Sequence, residues 1–511
     1  MGVCQGNRAD VTYLSRLKAA HNVYYVLPHS IVANGGAGFS PRGTSLPPSG
    51  YCQNLELTGH KQRKMETPAK VNISDVVDNS KLGGFQVGIF VLCGLCLIMD
   101  GFDVQAIGYV APAIIQDWKV PSSDLGPVFG AGLFGVLLGS LLFSMAADKI
   151  GRRPVLIVAT FFFSVLTLVT ARAGSVEELL VIRFIAGLGL GGIMPNAMAL
   201  VSEYGPRRMR VALMMIVSNG FTAGAAIGGF ISAWLIPAFG WRSVFYFGGT
   251  IPLVIAVLMV FALPESLQFL VLRRKNLHQI GRWLKRIDPA APAGGGAEYV
   301  VAEQEGKGVP IVHLFHEGRA TGTVLLWVIN FMNLLNLYFL SSWLPTVVRD
   351  AGYSISNAVL VTTTVQVGGA VGALGLGWFV HRLGFVTVLT TCFTVACASI
   401  ALIGQPALSL TLLFVVVFVT GLGIIGGQAA LNALGATYYP TAGRSTGVGW
   451  ALGIGRIGAI LGPVLAGELL RRHWLAREIF LAAAFPALIS AVVVFSLRWV
   501  MKAGARGTVR G

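Results

Sequence analysis

RFIAGLGLGGIMPNAMALVSEYGPRRMR, residues 183–210, is the stretch from which the rest of the chain is read. Its apolar run is long enough to cross a hydrocarbon core of ~30 Å. Gly187, Gly189 and Gly192 are the small residues that let membrane helices approach closely. The run closes on a basic turn, Arg207, Arg208 and Arg210. At an offset of 234 residues (421 − 187) the pattern returns. The three glycines fall on Gly421, Gly423 and Gly426, and EYGPRRMR at 203–210 falls on TYYPTAGR at 437–444. Pro206 thereby matches Pro440, and Arg210 matches Arg444. Earlier in each copy the offset is 233 (333 − 100). Asp100 matches Asn333, Asp103 Asn336, Pro112 Pro345, Asp148 His381 and Gly151 Gly384. An internal repeat in a membrane protein marks carriers that rock two bundles about a midplane site.

Composition agrees. Of 511 residues, 54% are hydrophobic and 12% charged, with mean hydropathy +0.71. Soluble domains carry about 25% charged residues, so lipid is the main solvent here. The net charge of +16 does not point to nucleic acid, because the cations sit in short loops between apolar runs. Cys93 and Cys96 form a CxxC inside GIFVLCGLCLIM with no second Cys or His pair nearby, so they read as small apolar helix residues and not as a redox or metal site. No metal or cofactor is expected. HExxH, nucleophile–base and phosphate-loop patterns are missing, so the chain does not read as an enzyme. The glycine runs lie inside apolar spans without the βαβ context of a nucleotide site.

Twelve spans are expected at 85–109, 124–147, 154–173, 176–203, 209–237, 241–263, 320–345, 354–380, 385–404, 407–436, 443–469 and 476–500. The fold class is therefore an all-α membrane protein of two pseudo-symmetric six-helix bundles, 81–263 and 320–511, joined by a loop at 264–319. Residues 1–80 are rich in Gly, Pro, Ser and Asn and are expected to be disordered. Met65 opens METPAKVNISDVVDNSK, which reads as a short tail before span 1, so residues 1–64 are expected not to belong to the native protein. Lys149, Arg152, Arg153, Arg207, Arg208, Arg210 and the basic residues of 264–319 lie on one side, which puts both termini in the cytoplasm. Arg471, Arg472 and Arg477 run against that bias.

Charges inside a bilayer cost about 2.5–3.5 kcal/mol each on insertion scales, so each is a functional candidate. Asp100 and Asp103 share one helix face. Two close carboxylates in low dielectric can hold a proton near neutral pH, which suits a proton carrier; the alternative is a structural ion pair with Arg183. Residue counts put Asp100 roughly 22 Å from one surface and Arg183 roughly 10 Å from the other, at matching depths. Arg456, near the middle of span 11, needs an anion; its planar fork suits a substrate carboxylate, or else Asp100 or Asp103. Asn333, Asn336, Tyr338, Gln366, Gln428 and Asn432 offer hydrogen bonds to a bound ring acid, or to neighbouring helices. Asp148, Arg152, Glu203 and Arg444 cluster at cytoplasmic span ends. Asp148 could meet the N-terminus of span 11, and Arg152 could pair with Glu203, forming a gate or a static loop contact.

ADKIGRRPVL (147–156) and RFIAGLGLGG (183–192) resemble signatures of the major facilitator superfamily. DGFDVQAIGYVAPAI (100–114), GWRSVFYFGG (240–249), LPES (263–266), WLPTVV (343–348) and GVGWALGIGRIGAILGP (447–463) resemble its aromatic acid:proton symporter family. The resemblance implies uptake of aromatic carboxylates with protons by a monomer in a bacterial inner membrane. His381 departs from the pattern, standing where an acid is usual in the second copy of the loop signature. Related organic-anion symport, drug export and a transporter-like receptor remain alternatives.

Overall fold

Lipid offers the backbone no hydrogen-bond partner, so an apolar run closes its own ladder as a helix. The computed structural model describes residues 70–273, 277–291, 298–301, 311–316, 318–405, 408–440 and 443–507. Among the described residues, twelve helices are long and apolar enough to cross a membrane. They are span 1 (Gly84–Trp118), span 2 (Ser122–Ile150), span 3 (Arg152–Thr170), span 4 (Val176–Tyr204), span 5 (Arg210–Phe239), span 6 (Arg242–Ala262), span 7 (Ala320–Asp350), span 8 (Ile355–Leu383), span 9 (Phe385–Ile403), span 10 (Leu410–Tyr438), span 11 (Arg444–Arg471) and span 12 (Ala476–Trp499).

Spans 1 and 7 outrun their expected ends because each continues through its proline, Pro112 and Pro345. A helical proline frees the carbonyl four residues before it, which here is Gly108 and Ser341. These two pseudo-equivalent positions meet: a Cβ on Gly108 would stand 2.6 Å from the Ser341 carbonyl oxygen. The breaks therefore lie where spans 1 and 7 cross, packed against protein and not against lipid.

Each half is assembled the same way. Span 1 packs on 5, 2 on 4 and 3 on 6; span 7 packs on 11, 8 on 10 and 9 on 12. Glycines make this possible, since a Cβ on Gly139 would lie 2.0 Å from Leu188 O, and one on Gly421 2.0 Å from Val365 O. The two glycine clusters also distort their helices. Span 4 is interrupted at Gly192, and span 10 carries a π-turn at Leu422–Gly426.

The halves join through spans 1 and 7, 2 and 11, and 5 and 8. The named contacts of this seam lie toward the face opposite the 264–319 segment. Gly126 meets Gly467, Gly130 meets Val464, and Gly229 meets Thr363. Trp343 meets Phe129 edge-on with ring centroids 5.3 Å apart, and Ser356 Oγ donates to Ala233 O at 2.8 Å.

On the other face, which we call the loop face, the structure corrects the expectation of disorder through residue 80. Strand β1 (Lys70–Asn72) pairs in parallel with β2 (Glu298–Val300), and Ile73–Asn79 is helical. Asn72 caps that helix, Ile73 and Val77 bury its apolar side, and Asp78 pairs with Arg210 at the start of span 5. The expectations for residues 1–64 and Met65 fall outside the described residues. The 264–319 segment is also partly ordered, with helices Leu267–Leu272 and Leu277–Ile287. At the opposite face Glu468 bonds both Arg471 (3.2 Å) and Arg472 (3.0 Å), so the charges that ran against the loop bias are partly neutralised by their own helix.

Candidate functional site

The buried charges of span 1 are a turn apart but differently occupied. Asp103, fully buried, is saturated: Oδ2 accepts from Arg183 Nη2 at 2.9 Å and Oδ1 from Thr167 Oγ at 2.8 Å. The same Nη2 reaches the Asp103 carbonyl at 3.2 Å. The pair ties span 1 to spans 3 and 4. Matching depths point Arg183 toward Asp100; its partner is instead Asp103, because axial rise fixes depth to within a turn and leaves azimuth open. Arg183 Nε and Nη1 have no hydrogen-bond partner among the described residues. They adjoin a cavity of about 20 Å³ lined by Val128, Gly132 and Leu190, room for one water.

Asp100 is 5% exposed. Among the described residues its carboxylate makes neither hydrogen bond nor ion pair. Arg456 of span 11 stands close enough to act electrostatically on both Asp100 and Tyr338 of span 7. Arg456 is only partly buried and likewise has no hydrogen bond or ion pair among the described residues. A carboxylate on one half and a guanidinium on the other thus share the middle of the molecule with a phenol, each with open bonding capacity.

The second half answers with amides. Asn333 Nδ2 donates to Gln428 Oε1 at 2.8 Å and to Ile424 O at 3.0 Å, a carbonyl within the π-turn of span 10. Gln428 Nε2 donates to Asn432 Oδ1 at 2.9 Å and to Asn330 Oδ1 at 3.0 Å. Asn333 Oδ1 is buried with no donor among the described residues. Asn336 lies elsewhere. With its amide turned to satisfy both neighbours, it donates to Ala483 O at 2.7 Å and accepts from Ala487 N at 3.1 Å, bridging span 7 to span 12. Helix–helix bonding, the alternative kept open for these amides, is what Asn336 does toward span 12 and Asn333 toward span 10. Gln366 points to the seam, where it and Gln105 both donate to Ser341 Oγ, at 3.4 and 3.1 Å.

Of the loop-face residues, Arg152 and Glu203 pair at 3.1 Å. That contact lies within the first half and is extended by Ser266, whose hydroxyl donates to Glu203. Asp148 and Arg444 are exposed, and the structure does not bring them together. Asp148 takes part through its carbonyl, accepting from Arg273 at 3.2 Å. Sequence reasoning missed Glu265, whose Oε1 accepts from the backbone N–H groups of Arg152 (2.9 Å) and Arg153 (3.1 Å) at the start of span 3. A carboxylate there meets the positive end of the helix dipole. It missed Thr167 and Asn330 too; a polar side chain well inside an apolar span is the signal that marks both.

The Major Facilitator Superfamily model matches residues 93–291 and 326–509. The chain is 39% identical to the 4-hydroxybenzoate transporter PcaK of Pseudomonas aeruginosa, over 83% of this chain and 95% of that one. It is also 39% identical to a gallate transporter of Pseudomonas putida, over 85% of this chain and 96% of that one. Among solved structures, the bacterial homolog to the human lysosomal transporter Spinster, inward-facing and unoccupied, superposes with a TM-score of 0.63. It covers 83% of this chain and 99% of its own at 17% identity, a likeness of fold alone.

Proposed function

The chain belongs to the major facilitator superfamily, and on that footing we propose that it carries aromatic carboxylic acids inward together with protons. Relatives at 39% identity that transport 4-hydroxybenzoate and gallate support the substrate class. The observation that carries the mechanism is the unpaired Arg456 within electrostatic reach of the unpaired Asp100.

Arg456 is the anchor for the substrate carboxylate, a geometry its planar fork favours. Tyr338 supplies an aromatic wall. The Asn333–Gln428–Asn432 amides give the ring's polar substituents their partners. Asp100 sets the coupling. Ionised, it competes with the substrate for the same guanidinium. Protonated from the outside, it releases Arg456 to a substrate anion. After the halves rock inward the proton leaves Asp100, and the carboxylate reclaims Arg456 and expels the substrate. Asp103, held by Arg183 and Thr167, positions span 1. One proton then accompanies one monoanion, so no net charge moves and the pH gradient alone drives uptake. A second proton would add about 2.3 kcal/mol per 100 mV of membrane potential.

The basic loop face is the cytoplasmic one by the positive-inside bias, which puts both termini inside. The protein acts as a monomer in a bacterial inner membrane. With the seam packed on the outer side and Asp148 and Arg444 exposed and apart, we read the conformation as open to the cytoplasm. Contact of Asp148 with the start of span 11 near Arg444 belongs to the outward-open state, braced by Arg152, Glu203 and Ser266.

The test is uptake of radiolabelled benzoate, 4-hydroxybenzoate and gallate into proteoliposomes under an inward pH gradient. Accumulation of at least one that collapses with a protonophore is expected. If none accumulates, with or without the gradient, the reading fails.

A further inference from the structure

A second cavity lies on the outer face, where the ends of spans 1 and 5 meet the starts of spans 6 and 8. Its volume is about 680 Å³, within the range of small-molecule sites. Ala113, Ile236, Pro237 and Ile355 supply apolar lining, and Phe239 an exposed ring. Its charged edge is Arg242, whose guanidinium stacks on Trp241 with Cζ 4.4 Å from the ring centroid. One nitrogen, Nη1, donates to Asp117 Oδ2 at 3.1 Å; Trp241 Nε1 donates to the same oxygen at 3.0 Å. Nε and Nη2 of Arg242 have no hydrogen-bond partner among the described residues, and the side chain is 43% exposed. The stack orients the fork, and the free edge faces solvent beside apolar surface. That combination fits a planar ring bearing a carboxylate. The helix dipole at the start of span 6 adds to the positive field.

We infer that this cavity is an outer capture site for aromatic carboxylates, distinct from the central site at Arg456. The inference rests on the reading of the chain as an aromatic-acid carrier. Its place gives it a role. It lies over the span 5–span 8 seam, at Ser356 and Ala233, which must part for the centre to open outward. An acid held there waits at the entrance. Asp117 opposes capture, since it competes for the same guanidinium.

Equilibrium binding of radiolabelled 4-hydroxybenzoate to the purified full-length protein, with no gradient, tests this apart from transport. Arg456→Gln disables the central site. The expected result is residual saturable binding, weakened about three- to fivefold by adding Arg242→Gln and tightened by adding Asp117→Asn. A salt bridge that merely braces the loop predicts the same direction for both changes. Opposite directions therefore support capture; weakening by both overturns it. Loss of all binding in Arg456→Gln, or residual binding indifferent to Arg242→Gln, also overturns it. Displacement by phosphatidylglycerol vesicles but not by unlabelled benzoate would assign the cavity to a lipid headgroup instead. If wild-type proteoliposomes transport no aromatic acid but the residual binding behaves as stated, the carrier reading falls and the site stands.

Discussion

Asp100 and Asp103 are the same residue type one turn apart, and their neighbours separate them. Asp103 has both oxygens engaged by Arg183 and Thr167. Asp103→Asn leaves a buried guanidinium uncompensated, so thermal unfolding in detergent should register a loss of about 3–5 kcal/mol. Unchanged stability would show that the pair is replaceable. Arg456→Lys keeps the charge and loses the fork. Uptake KM should rise about tenfold with little change in Vmax, the size of a charge-assisted hydrogen bond; an unchanged KM would remove Arg456 from the carboxylate. At this scale the sequence was informative about which residues matter and weak on whom they face. Four ionisable residues deep in apolar spans were visible as letters. That Arg183 meets Asp103 and not Asp100 depends on the rotation of two helices, which residue counting does not supply.

Elements were legible in proportion to how far they obey a single rule. The spans and their pairing as two copies follow from apolar length and from glycines in register. What escaped were the places where neighbours override the local rule. Spans 1 and 7 continue through Pro112 and Pro345 because the opposing span packs against the freed carbonyls. Residues 70–80 look like tail and become ordered through β2, Arg210 and two buried apolar side chains. Asn336 shared its reading with Asn333 by symmetry, yet it bonds span 12. Asn336→Leu should therefore cost about 0.6–1.7 kcal/mol of stability, as interhelical hydrogen bonds do, and leave KM within about twofold. A large KM change without loss of stability would return Asn336 to the substrate site.

For the whole molecule, the repeat gives both the fold and its motion. Pairs 2–11 and 5–8 exchange under the pseudo-twofold relation, so two equivalent seams can open or close together. Asp148 and Arg444 stand exposed and apart at the loop face, in keeping with the conformation proposed above as open to the cytoplasm. Asp148→Cys, on a background without other cysteines, should react with an impermeant maleimide from the cytoplasmic side only; reaction from outside would reverse the orientation. The central claim is that Asp100 releases Arg456 to the substrate when protonated. The most direct measurement is 4-hydroxybenzoate flux in proteoliposomes containing Asp100→Asn, which carries a permanently uncharged side chain at that place. Counterflow driven by internal substrate should persist while accumulation under an imposed pH gradient is lost. Gradient-driven accumulation that survives in Asp100→Asn would contradict the account.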